Sequence, residues 1–262
     1  MSHWFGVFPR VLVAVLAASA AFAESPLPHA VFLVGEDPHN YEAHATIPPF
    51  AERLEQEHGI RTTVLHREGE PNAYSFPGLD ALPEADLLVV FVRRTCLPAG
   101  EMARIQAHVE AGKPVLGIRT ANHAFSVRET DGAIPEGYAD WWDFVPAVLG
   151  CENRGYGPVE PGTAVAIAEG AEGHPILDGI DGPWHSTGNV YRVAPLVDES
   201  ATVLLEGRVE GEETVEPIAW TRMTGHGGKV FYTSLGHPAD FDDEHLPRLL
   251  LNGIRWCLGA DE

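Results

Sequence analysis

Four short segments hold most of the side chains able to do chemistry in this 262-residue chain: residues 35–44, 93–95, 119–123 and 236–240. They carry His39, His44, His123 and His237, the arginines Arg93, Arg94 and Arg119, and Asn122 and Asp240. Imidazoles suit general acid–base work, because their ordinary pKa lies near neutrality. Arg119 follows a short apolar run and sits in a tight turn. A guanidinium stays protonated at any working pH, so it cannot attack a carbonyl, but it can polarise a developing oxyanion. His237, Arg119 and His123 therefore form the candidate catalytic set.

Two other uses of the same loops compete with this one. Imidazoles bind zinc and other transition ions, and a catalytic site commonly takes three protein ligands and keeps one position open. His39 and His44, with His123, His237 and Glu36 or Asp37, could hold a divalent metal such as zinc. No His-Glu-x-x-His helix supports that set, and hydrogen bonds to loop carbonyls would equally account for the histidines. The remaining use is an anion or polyol pocket. Guanidinium forks suit carboxylates, phosphates and vicinal hydroxyls, so Arg93, Arg94, Tyr41, Asn122 and Asp240 are candidate ligand-binding residues. Trp141 and Trp142 offer either a sugar-stacking face or ordinary packing. Arg93 and Arg94 could instead pair with surface carboxylates. His185 and Ser186 lie in a turn-rich segment, 183–188, beside the pocket or in solvent. The other histidines downstream of residue 24 (His29, His58, His66, His108, His174, His226 and His245) read as structural or surface residues.

These loops need elements to position them, and the chain alternates strand and helix. Strands are expected at 30–34, 61–65, 86–92 and 114–118. The run at 86–92 is almost wholly apolar, as in a strand covered on both faces of a parallel sheet. Helices are expected at 42–58, regular from about Pro48 and ended by Gly59, and at 99–110, ended by Gly112. This is a doubly wound βαβ series. The second half is less regular: a helix at 138–149, a Gly/Pro loop at 151–162, short strands at 163–168, 190–193, 201–205 and 217–222, some antiparallel, a strong strand at 229–235 and a closing helix at 243–258. Ligands of open parallel sheets sit at the carboxyl ends of strands, which is where the four segments fall.

The N-terminus reads as an export signal: Arg10, an apolar run over 11–22, and a small-x-small site at Ala21-Phe22-Ala23. Residues 1–23 are expected to be a signal peptide and 24–262 a single domain in the periplasm or outside the cell. The apolar run is short for a membrane span, which needs ~20 residues, and no later segment looks transmembrane. The formal charge of −21 disfavours nucleic acid and anionic lipid as partners. Cys96, Cys151 and Cys257 match no zinc spacing and read as buried small residues, with one disulfide possible.

The chain resembles the trehalose-utilisation ThuA-like family, within the class I glutamine amidotransferase-like superfamily. The resemblance rests on Gly228-Lys-Val-Phe-Tyr-Thr-Ser-Leu-Gly-His237, Leu249-Leu-Leu-Asn-Gly-Ile-Arg-Trp256, Pro217-Ile-Ala-Trp-Thr221 and residues 115–125. It implies an α/β fold with a flavodoxin-like three-layer α/β/α core, its sheet mostly parallel with antiparallel additions in the second half. It also implies a link to sugar metabolism. In the superfamily the tight turn carries a nucleophilic cysteine, activated by a histidine matching His237 and oriented by an acid two residues later. Here Arg119 replaces the thiol, and Ala239 holds the place of the acid, with Asp240 one position on. The resemblance therefore implies a protein that acts on or binds a sugar or sugar derivative, as an enzyme or as a non-catalytic accessory protein, without cysteine amidotransferase chemistry.

Overall fold

The computed structural model describes residues 1–3 and 26–260. The export signal read at 1–23 falls almost wholly outside the described residues. In chain order the strands are β1 (His29–Val34), β2 (Arg61–His66), β3 (Glu68–Glu70), β4 (Ala73–Ser75), β5 (Leu87–Phe91), β6 (Leu97–Pro98), β7 (Val115–Ile118), β8 (Tyr138–Ala139), β9 (Thr163–Ile167), β10 (Trp184–Ser186), β11 (Thr202–Arg208), β12 (Glu216–Met223) and β13 (Lys229–Thr233). The α-helices are α1 (Ala43–His58), α2 (Ala99–Glu110) and α3 (His245–Leu258).

Nine strands form one sheet in the order β10-β9-β11-β12-β13-β7-β5-β1-β2. From β13 to β2 every pairing is parallel, and from β10 to β13 every pairing is antiparallel. Reading only the parallel strands gives the order of a flavodoxin-like doubly wound sheet, which reverses direction between β1 and β5. Every residue of β1 and β5 is buried, which explains their unbroken apolar runs. One face carries Phe32, Val34 and Phe91 against the apolar stripes of α1 and α3. The other carries Val31, Leu33 and Val90 against α2, Phe125 and Phe144. Each such side chain contributes about 1.5–3 kcal/mol on burial.

The helix α1 shows how the chain reaches the site. Its buried residues Ala43, Ile47, Phe50, Ala51 and Leu54 recur at helical spacing, and Gly59 closes it in left-handed backbone at φ 63. It begins at Ala43, earlier than the prolines suggest, and runs through Pro48 and Pro49. The amides of Ala45 and Thr46 both bond the carbonyl of Glu42, so the first turn closes before either proline is reached.

Three second-half expectations differ from what forms. The segment 138–149 is not one helix: β8 pairs with β6, and only Phe144–Leu149 coils, as a π-helical turn around Pro146. The Trp141 amide is spent on the carbonyl of Phe125, outside any helical ladder. Residues 190–193 form no strand, only a bridge between Tyr156 and Tyr191. Residues 184–186, read as a turn, are the edge strand β10, paired with β9. Its three residues between glycines and proline are too few to show a period. All three cysteines are buried and unpaired, so the disulfide that sequence left open does not form.

Candidate functional site

Arg119 stands where β7 turns into a short 3-10 segment, at φ 44. Left-handed backbone is costly for a residue with a Cβ. The turn is held by the Tyr232 hydroxyl, which donates to the Arg119 carbonyl at 2.7 Å. The side chain points inward and is 1 % exposed. Its Nη1 donates to the Ser234 carbonyl at 2.7 Å and its Nη2 to Asn189 Oδ1 at 2.8 Å. The guanidinium carbon lies 3.9 Å from the centre of the Tyr41 ring and 4.8 Å from that of Tyr191. Two aromatic rings and two fixed oxygens thus enclose the cation. Gly188 is required beside it, because a Cβ there would stand 2.9 Å from Nη1. Only Nε lacks a partner. Burial opposes the charge, but the phenols of Tyr191 and Tyr41 outweigh it and leave the pKa raised, so Arg119 stays a cation.

Asn40 braces the reversal point of the sheet. Its Nδ2 donates to the carbonyls of Gly35 and Phe91, at 2.8 and 2.9 Å, and its Oδ1 accepts from Thr120 Oγ1 at 2.5 Å. One amide therefore joins the loops after β1, β5 and β7. Nearby, the buried Arg67 donates to the Arg93 carbonyl and Thr95 Oγ1 and reaches Asp37 at 3.4 Å. Arg93 also faces Asp37, at 3.9 Å.

His237 is half-buried, with its ring edge-on to Tyr41 at 6.2 Å between centres. Its Nδ1 accepts from Thr187 Oγ1 at 2.8 Å and from the Ala239 amide at 3.3 Å. That assigns the proton of the neutral ring to Nε2. Burial and Arg119 lower its pKa. Asp240 does not orient the imidazole. Its Oδ2 accepts from the amides of Gly236 and His237, and its Oδ1 from Ser186 Oγ. The carboxylate shapes the loop after β13 and ties it to β10.

The second neighbourhood is open. A cleft of about 480 Å³ is lined by Arg94, Asn122, His123, Arg128 and Trp142, with Asp143, Glu152 and Asn153 at hand. The amides of Arg94 and Thr95 bond the carbonyls of His123 and Ala124, zipping the loops after β5 and β7 into its floor. His123 Nδ1 lies 2.5 Å from Asn122 Oδ1 and 2.9 Å from Asn153 Nδ2. We assign the ring proton to Nδ1 from the shorter contact, which leaves a lone pair on Nε2. Burial, then the charges of Arg94, Arg93, Arg128 and Arg119, push the His123 pKa down to about 3. The imidazole is therefore neutral, in a positive local potential. Tyr191 joins the neighbourhoods, its ring 6.2 Å from that of His123 and in contact with Arg119.

Among the described residues, five non-glycine residues have left-handed backbone: Tyr41, Glu42, Asn72, Arg94 and Arg119. All but Asn72 lie in the loops that build these two neighbourhoods. Stored strain of this kind concentrates at functional sites.

The structure brings Tyr41, Arg119, His237 and Asp240 to one place, and Arg94, Asn122 and His123 to the adjoining one. It does not bring the proposed metal ligands together. Among the described residues no group of three His, Cys, Asp or Glu side chains is gathered, His39 is exposed, and the buried Nδ1 of His44 has no partner. Cys96 donates to the Asn72 carbonyl, and burial pushes the Cys151 and Cys257 thiols up to about 12, which suits inert packing residues.

The family model for trehalose utilisation, ThuA, matches residues 31–257. The chain belongs to the ThuA family. A ThuA-like protein from Bacteroides uniformis shares its fold at TM-score 0.62 and 17 % identity, covering 92 % of this chain and 95 % of that one. A second, from Parabacteroides merdae, does so at TM-score 0.62 and 15 % identity, covering 89 % and 91 %. No curated protein matches the chain. At these identities the likeness is one of fold.

Several residues of this ThuA chain's site escape sequence reading. Asn40 lies in a loop already singled out, but an asparagine there looks like any turn residue. Tyr191 hides in a stretch that reads as a strand, 190–193, and Asn189 lies just before it. Arg128 and Asn153 follow no motif, and only the folding of 125–153 over the end of β7 brings them to His123.

Proposed function

We propose that this ThuA protein is exported and recognises a sugar or sugar derivative in the cleft between Arg94, His123 and Trp142. The observation that carries the reading is the placement of its exposed aromatics. Trp142, 53 % exposed, lines the cleft, and Tyr156, 69 % exposed, has its ring 6.4 Å from that of Tyr191, which itself lies 6.2 Å from the His123 ring. Among the described residues these are the large aromatic side chains left open to solvent. Exposed rings beside a polar floor suit the apolar face and hydroxyl edge of a pyranose. The family's association with trehalose utilisation points the same way.

Binding is favoured over turnover at Arg119, because that guanidinium is enclosed and its two terminal nitrogens are taken. A polarising role would require it to leave Tyr41 and Tyr191. Tryptophan fluorescence titrated with neutral and oxidised mono- and disaccharides, trehalose included, tests the reading. Saturable binding without product, lost in Trp142→Ala, is expected. No binding by any carbohydrate would remove it. Export is read from residues 1–23, and a secreted chain whose mass begins at Glu24 is its expected signature.

A second reading is general acid–base turnover of an oxidised sugar, such as a keto-sugar, by His237 and His123 with Arg119. The strained residues Tyr41, Arg94 and Arg119 around the site favour it. Separate replacement of His237 and Arg119, assayed on the same panel, decides it: unchanged turnover in both would end it. Metal analysis of the purified protein separates either from a metal-dependent hydrolase or isomerase.

A further inference from the structure

We propose that the cleft takes a sugar acid, with the carboxylate of the ligand held by Arg94 and Asn122 and a neighbouring hydroxyl donated to His123. The inference rests on the carbohydrate reading and names its ligand class.

Three observations carry it. The first is Arg94. It is half-buried, held at φ 35, and has no carboxylate within ion-pair distance among the described residues. Its Nη1 makes only two long contacts, at 3.3 Å, to the carbonyl and hydroxyl of Ser126. By contrast Arg128, beside it, is held by both oxygens of Asp131 at 2.9 and 2.6 Å. Arg94 is thus the cation of this cleft with an unfilled fork. A half-buried guanidinium without a counter-charge favours an anion that completes it.

The second is Asn122. The residue is 0 % exposed and lines the cleft, yet its Nδ2 has no hydrogen-bond partner. Its Oδ1 is occupied by His123 and Asn153, which fixes the amide so that the free donor is Nδ2. A buried unsatisfied donor costs about 1–3 kcal/mol, which a bound acceptor would recover. The third is His123. With its proton on Nδ1, its Nε2 accepts. A carboxylate oxygen is acceptor-only and fits Arg94 and Asn122 but not Nε2, whereas a hydroxyl can donate there. The donors and the acceptor together match a carboxylate beside a hydroxyl on an otherwise uncharged ring or chain, as in uronic and aldonic acids. Asp143, the exposed carboxylate on the lining, and Glu152, which is held by Arg154 at 3.0 Å, would face the neutral part of such a ligand.

Calorimetric titration of the full-length protein tests this with four probes: glucuronate, the methyl ester of glucuronate, glucose and acetate. The expected result is saturable binding of glucuronate, at least about tenfold tighter than its ester or glucose, with acetate weaker still. Arg94→Asn, which tolerates left-handed backbone, should abolish the preference for the acid over the ester. Equal affinity for glucuronate, its ester and glucose would overturn the sugar-acid assignment and leave the carbohydrate reading standing. Acetate binding as tightly as glucuronate would reduce the cleft to a general carboxylate site and overturn both. The comparison of acid with ester uses the unmodified protein, so the outcome does not depend on the variant folding.

Discussion

At the scale of single residues, Arg119 decides what this chain can do. The backbone keeps the sharp strand-to-turn geometry in which a nucleophile would be displayed, but the side chain folds inward between Tyr41 and Tyr191. Arg119→Ala should cost about 3–5 kcal/mol in chemical unfolding, because it leaves a void, strands the Ser234 carbonyl without its donor and leaves Asn189 Oδ1 only the long bond from the Tyr41 hydroxyl at 3.4 Å. Unchanged stability would show that the enclosure contributes nothing. His123 gives a pH signature. Its pKa falls from 6.5 in the free side chain to about 3 in the fold, so the unfolded chain takes up the proton first. Its contribution to stability is therefore full above the upper value and declines as pH falls toward the lower one. Unfolding curves across that window should show a shallower decline in His123→Asn than in the parent chain. The acid–base candidates themselves were legible from sequence, since histidines and arginines at strand ends are few. Their states were not: which nitrogen of His237 is occupied depends on Thr187, fifty positions away.

At the scale of elements, the strand ends matter more than the strands. Asn40 ties the loops after β1, β5 and β7 through one amide, and the next residue is the Tyr41 that covers Arg119. Asn40→Ala should cost about 2–4 kcal/mol by leaving the Gly35 carbonyl and the Thr120 hydroxyl without this partner and the Phe91 carbonyl with only the long bond from the Gly35 amide at 3.4 Å. It should also loosen the Arg119 enclosure, read as faster hydrogen exchange at the amides of residues 41–46. An unaltered exchange pattern would separate Asn40 from the site. The parallel strands were readable because burial on both faces leaves a continuous apolar run, and α1 and α3 because their stripes recur at helical spacing. The segment 138–149 was not readable. Phe144 packs edge-on to Phe125 from the π-helical turn, Trp141 packs on Phe144 from the turn after β8, and an apolar cluster alone does not reveal which backbone presents it. The edge strand β10 was hidden for the opposite reason, being too short to carry a period.

At the scale of the whole molecule, a large negative charge surrounds a small positive site. The chain carries −21 formally, yet Arg93, Arg94, Arg119 and Arg128 all act on His123. The surplus of carboxylates repels itself across the surface. Raising salt from about 0.1 M to about 1 M shortens the screening length from about 10 to about 3 Å. The melting temperature should therefore rise with added sodium chloride; a fall would mean that attractive pairs outweigh the repulsion. No helix among the described residues is long and apolar enough to cross a membrane.

By itself the sequence determined the layer architecture, because burial leaves its period in the chain, and it determined that the usual thiol is missing from the turn, because residue type is local. Only the tertiary structure decided that Arg119 is enclosed while Arg94 is open. Both are guanidinium groups just beyond strand ends. What separates them is the company brought by distant segments: Asn189, Tyr191 and Ser234 close around the first guanidinium, whereas Ser126 is the one residue that hydrogen-bonds the second among the described residues. A charge takes its role from the partners that close around it, and those partners are assembled by folding rather than by nearness along the chain.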